Sequence, residues 1–324
     1  MMKITIIGGG SVRMPLVANA FLKWYDRIPV DELVFMDNDQ ERLDLIGMAV
    51  RGVLNPQNPP FKMRWTTDAI DAIKDSDFII FTIRVGNEEA RAKDERIALQ
   101  NGLLGQETVG PGGLAMALRT IPVLLDYAEM INKYAPNAWV VNFTNPAGMV
   151  TQALTKYSKL KRIVGICDEY WNLTQRISQL INVPPLDLYL DYVVINHMGW
   201  VKKVIVNGED WMPKILSGFN PSDSDILEMP FEGYLLQTLK LIPQEYLHFY
   251  YTNKEVVENI VNSEESRAEQ ILRLTPQLFE DLRNAKNHQS NQEAWEAIVN
   301  YNIRRVQSYF ATESGAAQER TREW

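Results

Sequence analysis

Three consecutive glycines, Gly8-Gly9-Gly10, follow the apolar run Lys3–Ile7 and precede Ser11, Val12 and Arg13. A buried strand that breaks on glycines and continues into a helix lets bare backbone approach a pyrophosphate. The helix N-terminus then favours the phosphate charge. Gly8 and Gly10 satisfy the first two positions of G-x-G-x-x-G, and Arg13 takes the place of the third glycine. A second apolar run, Leu33-Val-Phe-Met, delivers Asp37 at the spacing suited to a ribose hydroxyl, where an acid favours NAD and repels the extra phosphate of NADP. Gly8, Gly10, Ser11, Val12, Arg13 and Asp37 are therefore assigned to a NAD site.

Three further clusters are polar where strands should end: Thr82-Ile-Arg-Val-Gly-Asn, Gly105-Gln-Glu-Thr-Val-Gly-Pro-Gly-Gly and Asn142-Phe-Thr-Asn-Pro-Ala-Gly. Open α/β sheets bind ligands outside the carboxyl ends of their strands, and the first and third clusters fall there. Each taken alone also reads as a turn. Cys167, the single cysteine, and His197 have the chemistry of metal ligands but no spacing motif that pairs them. A lone buried cysteine usually packs as a small hydrophobe, so residue types leave both readings open. Asp168 suits either acid–base work or the N-cap of the next helix.

These residues need a scaffold, and the first half of the chain supplies an alternating one. The patterning predicts strands over Lys3–Ile7, Glu32–Met36, Lys62–Trp65, Phe78–Thr82, Trp139–Asn142 and Arg162–Ile166. Helices are predicted over Pro15–Trp24, Gln40–Val53, Glu88–Asn101, Gly113–Lys133 and Pro146–Lys156. Regular alternation of this kind argues an α/β fold, a Rossmann-type parallel sheet wrapped by helices. Beyond Cys167 the rhythm changes. Leu186–Asn196 and Val201–Val206 read as longer strands, possible antiparallel partners, and the chain from Asp225 onward is mostly helical, with Pro230 and Pro243 as punctuation. The expected organisation is a NAD-binding domain over 1–165 and a mixed α+β, mostly helical metal and substrate domain over 166–324.

A length of 324 residues suits two domains, and 46% apolar residues is ample for large cores. The net charge of -8 disfavours nucleic acid or an anionic membrane as partner, while local arginines can still receive a small anion. One cysteine excludes an internal disulfide and suits a reducing compartment. The opening apolar run is only strand-length and lacks a cleavage pattern, so a cytoplasmic protein is expected, with no membrane span.

Taken together the motifs resemble glycoside hydrolase family 4, the NAD- and manganese-dependent glycosidases. The likeness runs from Met2 to about Arg267. It is carried by Gly8-Gly-Gly-Ser, Ile83-Arg-Val-Gly, Gly105-Gln-Glu-Thr, Asn142-Phe-Thr-Asn-Pro, Gly165-Ile-Cys-Asp, Asn196-His-Met-Gly-Trp and Pro243-Gln-Glu-Tyr-Leu, in the family's order. The resemblance implies that Cys167 and His197 hold manganese or another divalent cation, that Asp168 is the general acid and that Tyr246 is the base. It implies further that Arg84 and Arg267 hold a substrate 6-phosphate and that Asn145 binds a sugar hydroxyl. Cys167-Asp168 resembles the members that cleave α-linked phosphoglucosides, whereas Glu169-Tyr170 departs from their Met-Pro.

The implied reaction is hydrolysis of a phosphorylated disaccharide or glucoside by NAD-dependent oxidation at carbon 3, elimination, and water addition, with no net redox. A homo-oligomer, dimer or tetramer, is implied as well. Family members continue past the end of this chain, whose tail Ala316–Trp324 reads as an interrupted helix, so a second domain shortened at its C-terminus is expected. Two other readings share the NAD site. One is a 2-hydroxy acid dehydrogenase, whose arginine and histidine pattern is not evident. The other is a truncated or degenerate NAD-binding protein without catalysis.

Overall fold

The computed structural model describes residues 1–223, 227, 229–263 and 265–313; Asp225 and the tail Ala316–Trp324 lie outside them. Among the described residues the chain divides into two compact units. One contains Met1–Ile166 together with the stretch that begins at Ile260, and the other is Cys167–Asn259.

The first unit is built on β1 (Lys3–Ile7), α1 (Met14–Lys23), β2 (Glu32–Met36), α2 (Gln40–Leu54), β3 (Lys62–Thr66), α3 (Ala69–Ile73), β4 (Phe78–Phe81), α4 (Asn87–Gln100), α5 (Gly110–Tyr134), β5 (Trp139–Asn142), α6 (Ala147–Tyr157) and β6 (Ile163–Gly165). The sheet order is β3-β2-β1-β4-β5-β6, and each neighbouring pair runs parallel. This is the doubly wound arrangement, in which the strand order reverses between β1 and β4 and opens a crevice at their carboxyl ends. Four of the five residues in each of β1 and β2 are buried, as a parallel sheet covered on both faces requires. Local signals start the helices: the Asp39 side chain accepts the Arg42 N–H at the head of α2, and Asp68 accepts the N–H groups of Ile70 and Asp71 at the head of α3.

The second unit holds α7 (Glu169–Ile181), β7 (Leu188–Ile195), β8 (Met198–Val206), β9 (Glu209–Asp210), α8 (Met212–Ser217), α9 (Gly233–Leu239), β10 (Ile242–Pro243), α10 (His248–Tyr251) and most of α11 (Asn253–Asn262). The strands β7 and β8 form an antiparallel hairpin, with β10 added antiparallel on the other side of β8. Leu173, Ile177, Leu190, Val201, Val204, Leu236, Ile242 and Leu247 form this unit's own core.

The chain then continues through α12 (Arg267–Asn287) and α13 (Asn291–Glu313). These helices differ from the expectation of one continuous second domain over 166–324. Leu278, Leu282, Ala285, Ala294, Ala297, Ile298 and Tyr301 join the same buried cluster as Leu33, Phe35, Leu43 and Ile46. Their apolar stripes thus complete the covering of α2 and the sheet, which places this stretch in the first unit.

Candidate functional site

At the end of β1 the N–H groups of Gly8 and Gly9 both donate to the Met36 carbonyl, at 2.9 and 2.7 Å. The turn can form because Gly8 has φ +103, and a Cβ there would stand 2.5 Å from the Thr82 carbonyl oxygen. Only glycine fits both constraints. The Gly10 N–H donates to Asp37 Oδ2 at 2.9 Å, so the glycine turn and the acid at the end of β2 meet directly. Ser11 continues the turn, its N–H bonding the Gly8 carbonyl at 3.1 Å, and Val12 packs against the core. Arg13 stands at the N-cap of α1, with its guanidinium 5.8 Å from the Phe143 ring. The backbone cradle and its acid fit a dinucleotide, and Arg13 adds positive charge where the third glycine is absent.

Arg84 and Asn145 meet on one carboxylate. Arg84 Nη1 lies 2.6 Å from Glu107 Oε2, and Asn145 Nδ2 donates to Glu107 Oε1 at 3.2 Å. Arg91 approaches the same Oε2 at 3.1 Å while its Nε pairs with Glu95 at 2.7 Å. Burial alone would raise the Glu107 carboxyl, but Arg84 and Arg91 outweigh it and hold the group well below the usual carboxylate range. Local sequence explains its placement. Gln106 Oε1 accepts the Thr108 N–H, the Thr108 hydroxyl and the Val109 N–H, which fixes the loop ahead of α5 and aims Glu107 at the arginines. At the end of β5, the Asn142 side-chain amide donates to the Thr144 carbonyl and accepts the Thr144 N–H, and the Thr144 hydroxyl accepts the Ile83 N–H at 3.0 Å.

Arg267 opens α12 just after a Ser266–Glu269 capping box. Its Nη1 donates to Gln270 at 3.2 Å and its Nη2 to the Arg305 carbonyl at 2.8 Å. The neighbouring acids have partners of their own: Glu265 pairs with Arg273, and Glu269 with Arg96. Burial lowers the Arg305 guanidinium to about 10, and the nearby Arg13 and Arg267 press in the same direction. A concentration of guanidinium groups of this kind favours an anion.

In the second unit, β7 and β8 are joined at Asn196-His197, and His197 takes φ 64 in the left-handed region. This turn directs the buried imidazole so that Nε2 lies 3.7 Å from Cys167 Sγ. The thiol also lies 3.7 Å from Asp168 Oδ1, to which it donates. Asp168 occupies the N-cap position of α7, but its side chain makes no capping hydrogen bond. Burial pushes the Cys167 thiol up to about 11; the Glu169 backbone N–H opposes the shift, and the Asp168 and Glu169 carboxylates add to it. Tyr246 lies on a 3-10 turn after β10, and its ring stacks on His197 with centroids 3.9 Å apart. Cys167, Asp168, His197 and Tyr246 are thus brought together within one unit.

The donor set fits a divalent cation. A separation of 3.7 Å is what two bonds of about 2.0–2.3 Å span at a shared ion. In the same unit two buried polar atoms, Tyr192 Oη on β7 and Gln244 Oε1 just after β10, have no hydrogen-bond partner. Among the described residues no group of three or more His, Cys, Asp or Glu gathers around such an ion. Cys167 and His197 would offer such an ion one sulfur and one nitrogen. Manganese prefers oxygen donors, so the sulfur is the unusual member of the pair.

Glu107, Arg91, Arg305 and Tyr192 were not singled out from the sequence. Glu107 falls inside the Gly105-Gln-Glu-Thr cluster, and a charged residue in a glycine-rich loop ahead of a long helix was the available signal. Tyr192 carried no signal beyond a strand pattern.

The architecture is that of a doubly wound α/β chain with a thiol, imidazole and phenol gathered in a second unit. The model of the family 4 glycosyl hydrolases matches residues 3–183, and that of the family's C-terminal domain matches residues 192–313. The chain belongs to glycosyl hydrolase family 4. It is 37% identical over 289 residues to a probable 6-phospho-beta-glucosidase of Bacillus subtilis, covering 86% of this chain and 65% of that protein. It is 34% identical over 272 residues to 6-phospho-alpha-glucosidase 1 of Lacticaseibacillus paracasei, covering 79% of this chain and 61% of that one. Among solved structures, the 6-phospho-beta glucosidase of Thermotoga maritima with manganese, NAD+ and glucose-6-phosphate superposes with a TM-score of 0.80 at 30% identity, covering 94% of this chain and 72% of that one. The chain spans about two thirds of the length of the curated relatives it matches. No helix among the described residues is long and apolar enough to cross a membrane.

Proposed function

We propose that this chain carries a 6-phospho-glucosidase site that uses NAD and manganese or another divalent cation, with α-linked substrates favoured. The arrangement of Cys167, His197 and Tyr246 carries the reading, because a two-donor cation centre sits against a phenol able to accept a proton. When bound, NAD supplies a reversible hydride acceptor for carbon 3 of the sugar, and the divalent cation supplies Lewis acidity at that carbon's oxygen. Gly8, Gly10, Ser11, Val12, Arg13 and Asp37 hold the dinucleotide, and Cys167 with His197 holds the cation.

Tyr246 Oη takes the proton from carbon 2, acidified by the neighbouring ketone, and Asp168 gives a proton to the departing glycosidic oxygen. Water then adds at carbon 1 and gives its proton to the Asp168 carboxylate, and Tyr246 returns a proton to carbon 2, so both groups end in their starting state. Arg267 and Arg84 recognise the 6-phosphate, and Asn145 a sugar hydroxyl. The preference for α linkage is supported by the acid at position 168 directly after the cysteine; named relatives include both α and β enzymes.

The test compares phosphorylated and unphosphorylated α- and β-glucosides, with NAD and manganese supplied together, singly or not at all. Hydrolysis is expected for phosphorylated substrates with both present, faster for the α anomer, and with solvent deuterium at carbon 2 of the product. Turnover that survives complete removal of NAD excludes the mechanism. Net NADH formed from a hydroxy acid would favour a dehydrogenase, and NAD binding without any turnover a non-catalytic protein.

A further inference from the structure

Glu95, on α4, is fully buried, and both oxygens of its carboxylate are engaged. Oε1 accepts the Arg91 Nε–H at 2.7 Å, and Oε2 accepts the Ala268 N–H at 2.9 Å from a segment 173 residues away. Ala268 is the second residue of α12. The capping box there satisfies the N–H groups of Ser266 and Glu269 and leaves that of Ala268 to be met from outside the helix. A buried carboxylate suits this position, because it takes the orphan donor and faces the positive end of the helix dipole. The first turn of α12 is thereby tied to α4, and Arg267 is the first residue of that turn. Arg91 carries the tie onward. Its Nη1 lies 3.1 Å from Glu107 Oε2, the oxygen that Arg84 Nη1 meets at 2.6 Å. The segments bearing Arg267 and Arg84 are thus joined by a buried relay that runs from Ala268 through Glu95, Arg91 and Glu107.

We propose that Glu95 is a positioning residue for the substrate's phosphate, acting through Arg267 by holding the start of α12 in register with the loop that bears Arg84. The inference rests on the reading of Arg84 and Arg267 given above. Two guanidinium groups share one phosphate only when their placement matches its oxygens, and a misplacement of about 1 Å costs up to about 10²-fold. A carboxylate is required at position 95 because both of its oxygens accept. A glutamine there accepts at one atom only and turns a donor on either Arg91 or the Ala268 N–H.

The experiment titrates the full chain with glucose 6-phosphate in a calorimeter, and with NAD separately. Glu95→Gln is expected to weaken glucose 6-phosphate binding about tenfold or more, with NAD affinity within about twofold of wild type. In an Arg267→Ala background the same substitution is expected to add less than about twofold, because the residue through which Glu95 acts is gone. A merely structural Glu95 gives another pattern: its loss multiplies with that of Arg267→Ala, or falls equally on NAD. Either result overturns the inference, and so does wild-type glucose 6-phosphate affinity in Glu95→Gln, even if thermal stability falls. Should Glu95→Gln fold poorly, Arg91→Lys decides by the same titrations, since it keeps the charge but puts a point charge where the fork spans Glu95 and Glu107. Arg267→Ala alone separates the two levels of the argument. Unchanged glucose 6-phosphate affinity there refutes the phosphate reading. A loss there, beside wild-type affinity in the position 95 or 91 variant, refutes the Glu95 role alone.

Discussion

The His197 imidazole and the Tyr246 phenol stack face to face, with planes only 9° from parallel and centroids 3.9 Å apart. The nitrogen that faces Cys167 is Nε2, so a cation held there draws electron density from the ring on which the phenol rests. Positive charge nearby stabilises a phenolate, which a tyrosine needs before it can act as a base at neutral pH. One contact therefore couples the proposed cation site to the proposed base.

Tyr246→Phe preserves the stack and removes the oxygen. The expected result is a loss of about 10²- to 10⁴-fold in kcat, the range for a removed acid–base group. Manganese affinity should stay within about twofold, because the ring and His197 are unaltered. Exchange of the carbon 2 hydrogen with solvent should vanish in parallel with turnover. Exchange that persists at the wild-type rate would remove Tyr246 from the role of base.

Glu107 gathers Arg84, Arg91 and Asn145 from separate segments. Glu107→Gln keeps the shape but removes the carboxylate that Arg84 and Arg91 share, leaving them to Glu88 and Glu95. The cost should therefore exceed that of one hydrogen bond and stay below the about 3–5 kcal/mol of a fully unpaired buried charge. The urea midpoint should fall accordingly, while Asn145→Ala should cost about 1 kcal/mol, as for one lost hydrogen bond. Equal midpoints for the two variants would show that the charge of Glu107 contributes nothing beyond its hydrogen bond.

Much of this was legible in the sequence where a residue's neighbours along the chain decide its environment. The limits of β1, β2 and β5 coincide with the runs Lys3–Ile7, Glu32–Met36 and Trp139–Asn142, because parallel strands covered on both faces read as near-continuous apolar stretches. The five residues of α3 are too few to show a helical period. The helical character of α12 and α13 was visible, but an apolar stripe does not say which core it covers. Leu278 and Leu282 pack in the same cluster as Leu33 and Phe35. The site divides the same way. Gly8 and Asp37 carry a spacing set by one turn and one strand. The meeting of Arg84 with Asn145 on Glu107, or of Cys167 with His197, depends on strand order and register, which no local pattern encodes.

Asp37 accepts the Gly10 N–H and stands where a ribose hydroxyl would be read. Asp37→Ala removes a charged acceptor, and hydrogen bonds to charged groups contribute about 1.5–3 kcal/mol. NAD affinity, followed by fluorescence titration, should weaken about tenfold to a hundredfold. The preference for NAD over NADP should narrow as well, since the repelling carboxylate is gone. An undiminished preference would move cofactor discrimination to another residue.

His248 is buried beside Phe249, and its Nδ1–H donates to the Glu245 carbonyl at 2.7 Å. Burial lowers its pKa below the ordinary 6.5, while the carbonyl and the charge of Glu245 pull weakly the other way. In the unfolded chain the imidazole takes up a proton near pH 6.5, whereas the folded chain resists until lower pH. Over that window the unfolded state binds more protons, so stability rises with pH and is lost as pH falls from about 7 toward the folded pKa. The urea midpoint of the wild-type chain should therefore drop between pH 7.5 and 5.5. In His248→Gln, which cannot titrate, that part of the slope should disappear, leaving the two midpoints closer together. An unchanged slope in the variant would assign the acid sensitivity to other groups.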